Sequence, residues 1–346
     1  MIDFSNITLD KMAIHKVGNK SKAEKNFFSE KLYAPSAAIE DKLLPFFLNP
    51  LKKVEETYHF IHLENNALLS LATDCFSNPE NFLEKSSRMA RHLYDQSKHP
   101  NIKPGEVFVV HFSDIQYGDE MVSGIGIFKC ERKSSFMQVN LIEEELLINF
   151  QQGISADKLD KGCLILNVEQ EDGLRVLSVD NNSYDTSYWL NDFLNVTFVK
   201  DNFFHTKSYL EMVDNFSKEV LAPQMDRQEQ IQFMNDSVDY FAKHETFNFD
   251  EFAEAVAPSL PKDLGTNELK HYQADYALAD VNDFQIATNA IKTAKKKISP
   301  NIKLDTGIQI KMNMAEPEAS KEFVVKGFDE AKGMHFYKVY FNEEVE

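Results

Sequence analysis

Residues 78–133 read NPENFLEKSSRMARHLYDQSKHPNIKPGEVFVVHFSDIQYGDEMVSGIGIFKCERK, and the order of elements in this stretch decides the fold. Asn78 is a good helix cap, Pro79 suits the first helical position, and Glu80 complements the positive helix end. Phe82, Leu83, Met89, Ala90, Leu93 and Tyr94 then recur near the 3.6-residue period of an amphipathic helix. Pro100 disfavours helical geometry at His99. The apolar, β-branched run from Val107 to Phe112 is too short for a core helix and is bounded by Pro104-Gly105 and Tyr117-Gly118-Asp119. The run from Val122 to Phe128 is its antiparallel partner, so the unit is helix, turn, hairpin.

Upstream, Ile7, Leu9, Ala13 and Ile14 form a strand-like segment, and Gly18-Asn19 marks a loop carrying Lys16, Lys20, Lys22 and Lys25. The spacing predicts a helix over 35–48, a strand over 58–63 and a helix over 67–76 capped by Asn66. Downstream, two apolar runs over 162–168 and 174–179 are joined through Glu171-Asp172-Gly173, a strong hairpin signal. Strands grouped together, with helices before and after, indicate an α+β fold with a mixed or antiparallel sheet of at least four strands, not a doubly wound one.

At 346 residues the chain is long for one domain. Tyr209, Met212, Val213, Phe216 and Val220 mark a helix ending before Pro223, and Ala222-Pro223-Gln224 reads as the boundary between domains 1–222 and 223–346. The second domain reads as mainly helical. Ile231, Met234, Val238 and Phe241 mark one helix. Asn248 and Glu251 form a capping-box pattern before Phe252, Ala253 and Val256. Phe284, Ala287, Ile291, Ala294 and Ile298 mark another helix, stopped by Ser299-Pro300, and strands over 308–312, 323–325 and 336–341 close the chain.

The net charge is −18, a balance that repels polyphosphate at long range and argues against a general DNA coat. Residues 1–100, however, hold 13 Lys and Arg against 13 Asp and Glu, so the acid lies downstream and a local basic face remains open. Cys75, Cys130 and Cys163 are scattered and odd in number, which supports neither a disulfide framework nor a zinc cluster. No signal peptide or membrane-spanning run stands out, so a cytoplasmic protein is the simplest expectation.

Catalytic signatures are sparse. There is no P-loop, HExxH or GxSxG. Gly124-Ile125-Gly126 lies within a strand, where glycine marks a bulge or close packing. Asp119 with Glu131 and Lys133 is the one arrangement that a metal-dependent nuclease could use; the same charges also suit a strand leaving its sheet for solvent. His92, His99 and His111 fit no metal spacing, and no metal or cofactor is expected. The densest cations are Lys292, Lys295, Lys296, Lys297 and Lys303, followed by Arg88, Arg91, Lys98 and Lys103. Either group could meet phosphates. Lysines at a helix C-terminus are also what the macrodipole favours, and Arg88 and Arg91 also suit a solvated helix face.

The runs HLYDQSKHPNIKPGEVFVVHF, GIGIFKCE, KGCLILNV and KGFDEAKGMHFYKVYF, with FNFDEFAEAV after Pro223, resemble the bacterial 37-kDa nucleoid-associated proteins over most of the chain. The resemblance implies a cytoplasmic, nucleoid-located, non-enzymatic protein that binds double-stranded DNA or acts with DNA-handling proteins. It carries over no catalytic residue. Beside direct contact through Lys292, Lys295, Lys296, Lys297, Lys303, Arg88 and Arg91, the alternatives are an adaptor recruited by protein partners and, further off, the nuclease. A homo-oligomer is compatible with each.

Overall fold

The computed structural model describes residues 2–142, 144–182, 188–261, 263–276, 278–297, 301–311 and 323–343. The chain divides into two compact units, Met1–Val199 and Lys200–Glu346.

The first unit holds strands β1 (Ile2–Asp3), β2 (Thr8–Val17), β3 (Thr57–Phe60), β4 (Gly105–Tyr117), β5 (Glu120–Cys130), β6 (Ser134–Ile142), β7 (Glu145–Gly153), β8 (Lys161–Leu166), β9 (Arg175–Asp180) and β10 (Val196–Phe198), with helices α1 (Ala37–Leu51), α2 (Ala67–Ser77) and α3 (Phe82–Gln96). Eight of the strands form one sheet in the order β1-β4-β5-β8-β9-β3-β10, with β2 also on β4. Each of its pairings is antiparallel. The period of two puts Val107, Val109, Ile125, Ile127, Cys163 and Ile165 in the core shared with α2 and α3. Val110, Phe112, Phe128, Leu164 and Leu166 face the other way, into the core shared with α1. A sheet covered on both faces explains why all six residues of β8 are buried. Among the described residues β6 and β7 pair only with each other.

The expected hairpins are present. β4 pairs with β5, with a register shift between Phe112 and Ile115, and β8 pairs with β9 across Gly173 at φ 105°. Gly126 is a close-packing glycine, since a β-carbon there would run into the rings of Phe112 and Phe128. Asn66 caps α2, accepting from the backbone N–H of Leu68 and Leu69. Asn78 does not cap α3. Pro79–Asn81 forms a separate 3-10 turn, and Asn78 makes no side-chain cap bond.

The second unit holds helices α4 (Asn202–Phe216), α5 (Arg227–Lys243), α6 (Phe249–Val256), α7 (Gly265–Asp275) and α8 (Thr288–Lys297). Its strands are β11 (Thr246–Asn248), β12 (Asp283–Gln285), β13 (Asn301–Lys303), β14 (Gln309–Lys311), β15 (Val324–Asp329) and β16 (Met334–Val339), paired as three small antiparallel ribbons. Tyr209, Met212, Val213 and Phe216 of α4 share a core with Phe233, Phe247 and Phe252. A boundary at 222 would cut that core in two, so the division falls at Val199–Lys200 instead. Phe284 belongs to β12, opposite Phe247 of β11, and not to the α8 helix expected to carry it. Asn248 caps α6 through Glu251 N–H, while the reciprocal capping box sits at Asp226 and Glu229 of α5. Ile298, Ser299, Pro300 and Met312 lie outside the described residues.

Candidate nucleic-acid interface

α3 buries Phe82, Ser86, Met89, Ala90 and Leu93 and turns Arg88, Arg91 and Asp95 outward at spacings of three and four. Arg88 and Arg91 are both exposed. Arg88 lies 3.8 Å from Glu84, and the Arg91 guanidinium sits 4.8 Å from the Phe28 ring centre. Phe28 belongs to a segment that the fold pins against this helix. Lys16 and Phe27 exchange backbone bonds of 2.8 Å, and Lys20 N–H donates to Ser97 O at 2.9 Å. The buried Asn19 amide donates to His99 O at 2.8 Å and to Ile102 O at 2.6 Å. Lys20 Nζ then reaches Asp95 at 2.6 Å.

Segments 20–25 and 84–98 together carry seven Lys and Arg against three Asp and Glu. Lys85 is matched to Asp74 outside them, at 2.7 Å. Lys16 stands on the other side of its strand from His15 and Val17, which face α3, and lies opposite Glu106. Lys22 and Lys25 are exposed and make no ion pair among the described residues. An acidic chain therefore presents one surface with a cationic excess, part helix and part loop.

A second group of cations lies around α1, which packs on the opposite face of the sheet. A cleft of about 700 Å³ is lined by Lys42 and Lys53 from around α1, Lys158 and Asp157 from the segment before β8, and Val179 and Asn181. All three lysines are exposed. Because α1 and α3 cover opposite faces, a straight duplex would meet one surface or the other.

The family described as NA37, nucleoid-associated protein YejK, matches residues 13–332. The chain belongs to this family. No curated protein matches it.

In this NA37 chain the remaining expected residues fall as follows. Lys292 is exposed on α8 and Lys303 is exposed on β13. Lys295, Lys296 and Lys297 complete α8, and their side chains lie outside the described residues. Lys20, Lys22 and Lys25 join Arg88 and Arg91, a grouping that required knowing where the loop docks. The cleft lysines are further separated, Lys53 and Lys158 by more than 100 residues of chain, and no local signal links them.

The histidines do not converge. His92 Nε2 lies 3.1 Å from Phe193 O, His111 Nδ1 lies 2.9 Å from Asp10, and His99 Nδ1 accepts from Asn101 N–H at 3.2 Å. Burial lowers the His92 pKa, against a smaller opposing effect from the Phe193 carbonyl. The described residues contain no cluster of His, Cys, Asp and Glu able to hold a metal. None of their helices is long and apolar enough to cross a membrane.

The nuclease arrangement does not assemble. Asp119 precedes β5 and Glu131 follows it, so the two stand at opposite ends of the strand, roughly 35–40 Å apart at about 3.4 Å per residue. Lys133 pairs with Glu106 at 2.7 Å. Glu131 belongs to a buried ionic knot. Lys129 Nζ, fully buried, donates to Glu131 at 2.8 Å, Lys103 O at 2.7 Å and Tyr188 OH at 3.1 Å. Lys161 Nζ pairs with Asp180 at 2.5 Å, and both ammonium groups lie 5.5 Å from the Tyr188 ring centre. Asp160 accepts from the N–H of Glu131 at 2.7 Å and of Arg132 at 3.1 Å. Burial pushes the Tyr188 hydroxyl well above its ordinary pKa and pulls the Lys129 pKa down, with Glu131 opposing the latter. The knot joins the ends of β5, β8 and β9, a structural task.

Proposed function

We propose that this NA37 protein binds the phosphate backbone of duplex DNA, without sequence readout and without catalysis, through the α3 face and the loop docked on it. The observation that carries this is the cationic excess of segments 20–25 and 84–98 in a chain of net charge −18. Phosphate contacts from Lys and Arg release counterions, so affinity falls by a slope of about 0.9 in log K per contact against log salt. Arg91 is braced by Phe28, which lowers the entropy lost when its guanidinium meets a phosphate. The lysines of α8 form the second expected surface.

The test is anisotropy of a labelled duplex titrated with the full chain over a salt series. Lys22→Glu with Arg91→Glu is expected to weaken binding at least tenfold and to flatten the salt slope by about 1.8, two contacts' worth. Lys295→Glu with Lys296→Glu measures the α8 contribution in parallel. Equal affinity in the α3 double variant overturns the assignment to that face. Absence of wild-type binding to naked duplex at low salt overturns direct contact and favours recruitment by a basic protein partner, which the acidic balance of the chain also suits. Duplex cleavage with added magnesium or manganese overturns the non-catalytic part.

A further inference from the structure

β6 and β7 form a ribbon with two unlike faces. Directly opposed residues share a face, and the register pairs Met137 with Phe150, Val139 with Ile148 and Leu141 with Leu146. These six are all apolar, and all stand 52–71% exposed. The alternate pairs are Phe136 with Gln151, Gln138 with Asn149, Asn140 with Leu147 and Ile142 with Glu145, a mostly polar face on which Gln151 donates to Gln138 at 3.1 Å. Among the described residues the ribbon joins no other strand, and a lone two-stranded ribbon is marginal in water. We propose that the apolar face of this ribbon packs on the same face of a second copy of the chain, tip against root.

Area favours this occupant. At roughly 200 Å² for a fully open side chain of this size, the six residues offer roughly 700 Å² per copy, so about 1,400 Å² in all, the size of a standard stable interface. The face is self-complementary. It carries no charge, and its bulk is greatest at the root, in Phe150 and Met137, and less at the tip, in Leu141 and Leu146. Reversing one ribbon on the other sets the narrow end on the wide end, with Val139 and Ile148 at the centre.

Charge selects the same arrangement. Glu144 and Glu145 lie at the tip, while the root cations Arg132 and Lys133 are already matched within the chain, to Asp160 at 3.2 Å and Glu106 at 2.7 Å. Tip-to-root packing sets each acidic tip against a neutralised root and keeps the two acidic tips a ribbon length apart, roughly 30 Å and well beyond the Debye length, whereas tip-to-tip packing would crowd them together. An anionic membrane is a poor occupant, because residues 134–153 contain no Lys or Arg.

Sedimentation of the full chain tests the proposal. The wild type is expected at twice the 39.8-kDa chain mass across the micromolar range. Val139→Glu with Ile148→Glu is expected at one chain mass, with unchanged emission from the buried Trp189 showing that the main fold persists. Val139→Cys, central on the face, is expected to form an intermolecular disulfide under mild oxidation, whereas Leu141→Cys alone is not. A monomeric wild type, including one that floats with phosphatidylcholine vesicles, overturns the proposal. So does a dimer indifferent to the double substitution. Equally ready cross-linking through Leu141→Cys overturns the tip-to-root orientation. None of these outcomes depends on DNA binding.

Discussion

Replacing Glu131 with Gln keeps the shape of the ionic knot and removes one charge. Lys129 is fully buried and Glu131 retains only 4% of its side-chain exposure, so the pair is screened very little. Breaking a buried pair from one side leaves an ion without compensation and costs about 3–5 kcal/mol. Lys129 would keep only Lys103 O, Tyr188 and the amide oxygen of the new Gln. Urea unfolding followed by fluorescence is the assay. Trp189 is the chain's single tryptophan and is buried in the first unit, so its emission reports that unit. With an m-value of about 2.5 kcal/mol/M, the midpoint should fall by about 1–2 M. The pH dependence gives a second signature. A lysine whose folded pKa lies below its unfolded value leaves the unfolded chain holding more protons between the two, so stability rises with pH across that interval. Glu131→Gln deepens the depression at Lys129, so the deficit of the variant should narrow as pH climbs toward the ordinary lysine value of 10.5. Adding Lys129→Met removes the stranded charge and should restore much of the loss. A midpoint within ~0.3 M of wild type, or a deficit that Lys129→Met deepens, would refute the reasoning.

Asn66→Ala should destabilise the first unit by about 1–3 kcal/mol, because it removes the cap of α2 and also the amide bonds to Ile61 O, Leu194 O and Asn195 O. The same fluorescence melt checks it, and a loss below ~0.5 kcal/mol would count against the cap. Glu169 governs acid stability. Burial raises its pKa, but bonds from Arg175, Tyr117 and His59 outweigh burial and hold it at about 2, against an ordinary 4.5. Its contribution is complete above pH 4.5 and is lost as pH falls from there toward 2. Glu169→Gln should therefore lower the urea midpoint at neutral pH and flatten its decline over that acid range; parallel acid limbs for the two proteins would contradict this.

The α+β class and the central strands were legible because periodicity and turn chemistry agreed there. Asp172-Gly173 between two apolar runs forecast a hairpin that exists, and so did the Pro104-Gly105 and Gly118-Asp119 brackets around β4. The β6–β7 ribbon went unread although Met137, Val139 and Leu141 alternate with Gln138 and Asn140. The sequence that follows Ile142, Glu143-Glu144-Glu145, lacks the Gly or Asn that flags a reversal. The domain boundary was misplaced because Pro223 is a strong local breaker, whereas membership of a core is non-local. Of the candidate interface, Arg88 and Arg91 could be read from the helix pattern. The docking of segment 20–25 beside them depends on Asn19 reaching across to His99 and Ile102, contacts that no window of sequence displays.

The buried clusters of aromatic and aliphatic side chains each fall wholly within Met1–Val199 or within Lys200–Glu346. Each half thus has its own reason to stay folded. A substitution among the cations of α8 therefore leaves untouched the buried side chains that hold α3 in place, so a defect engineered in one half can be read without correcting for the other.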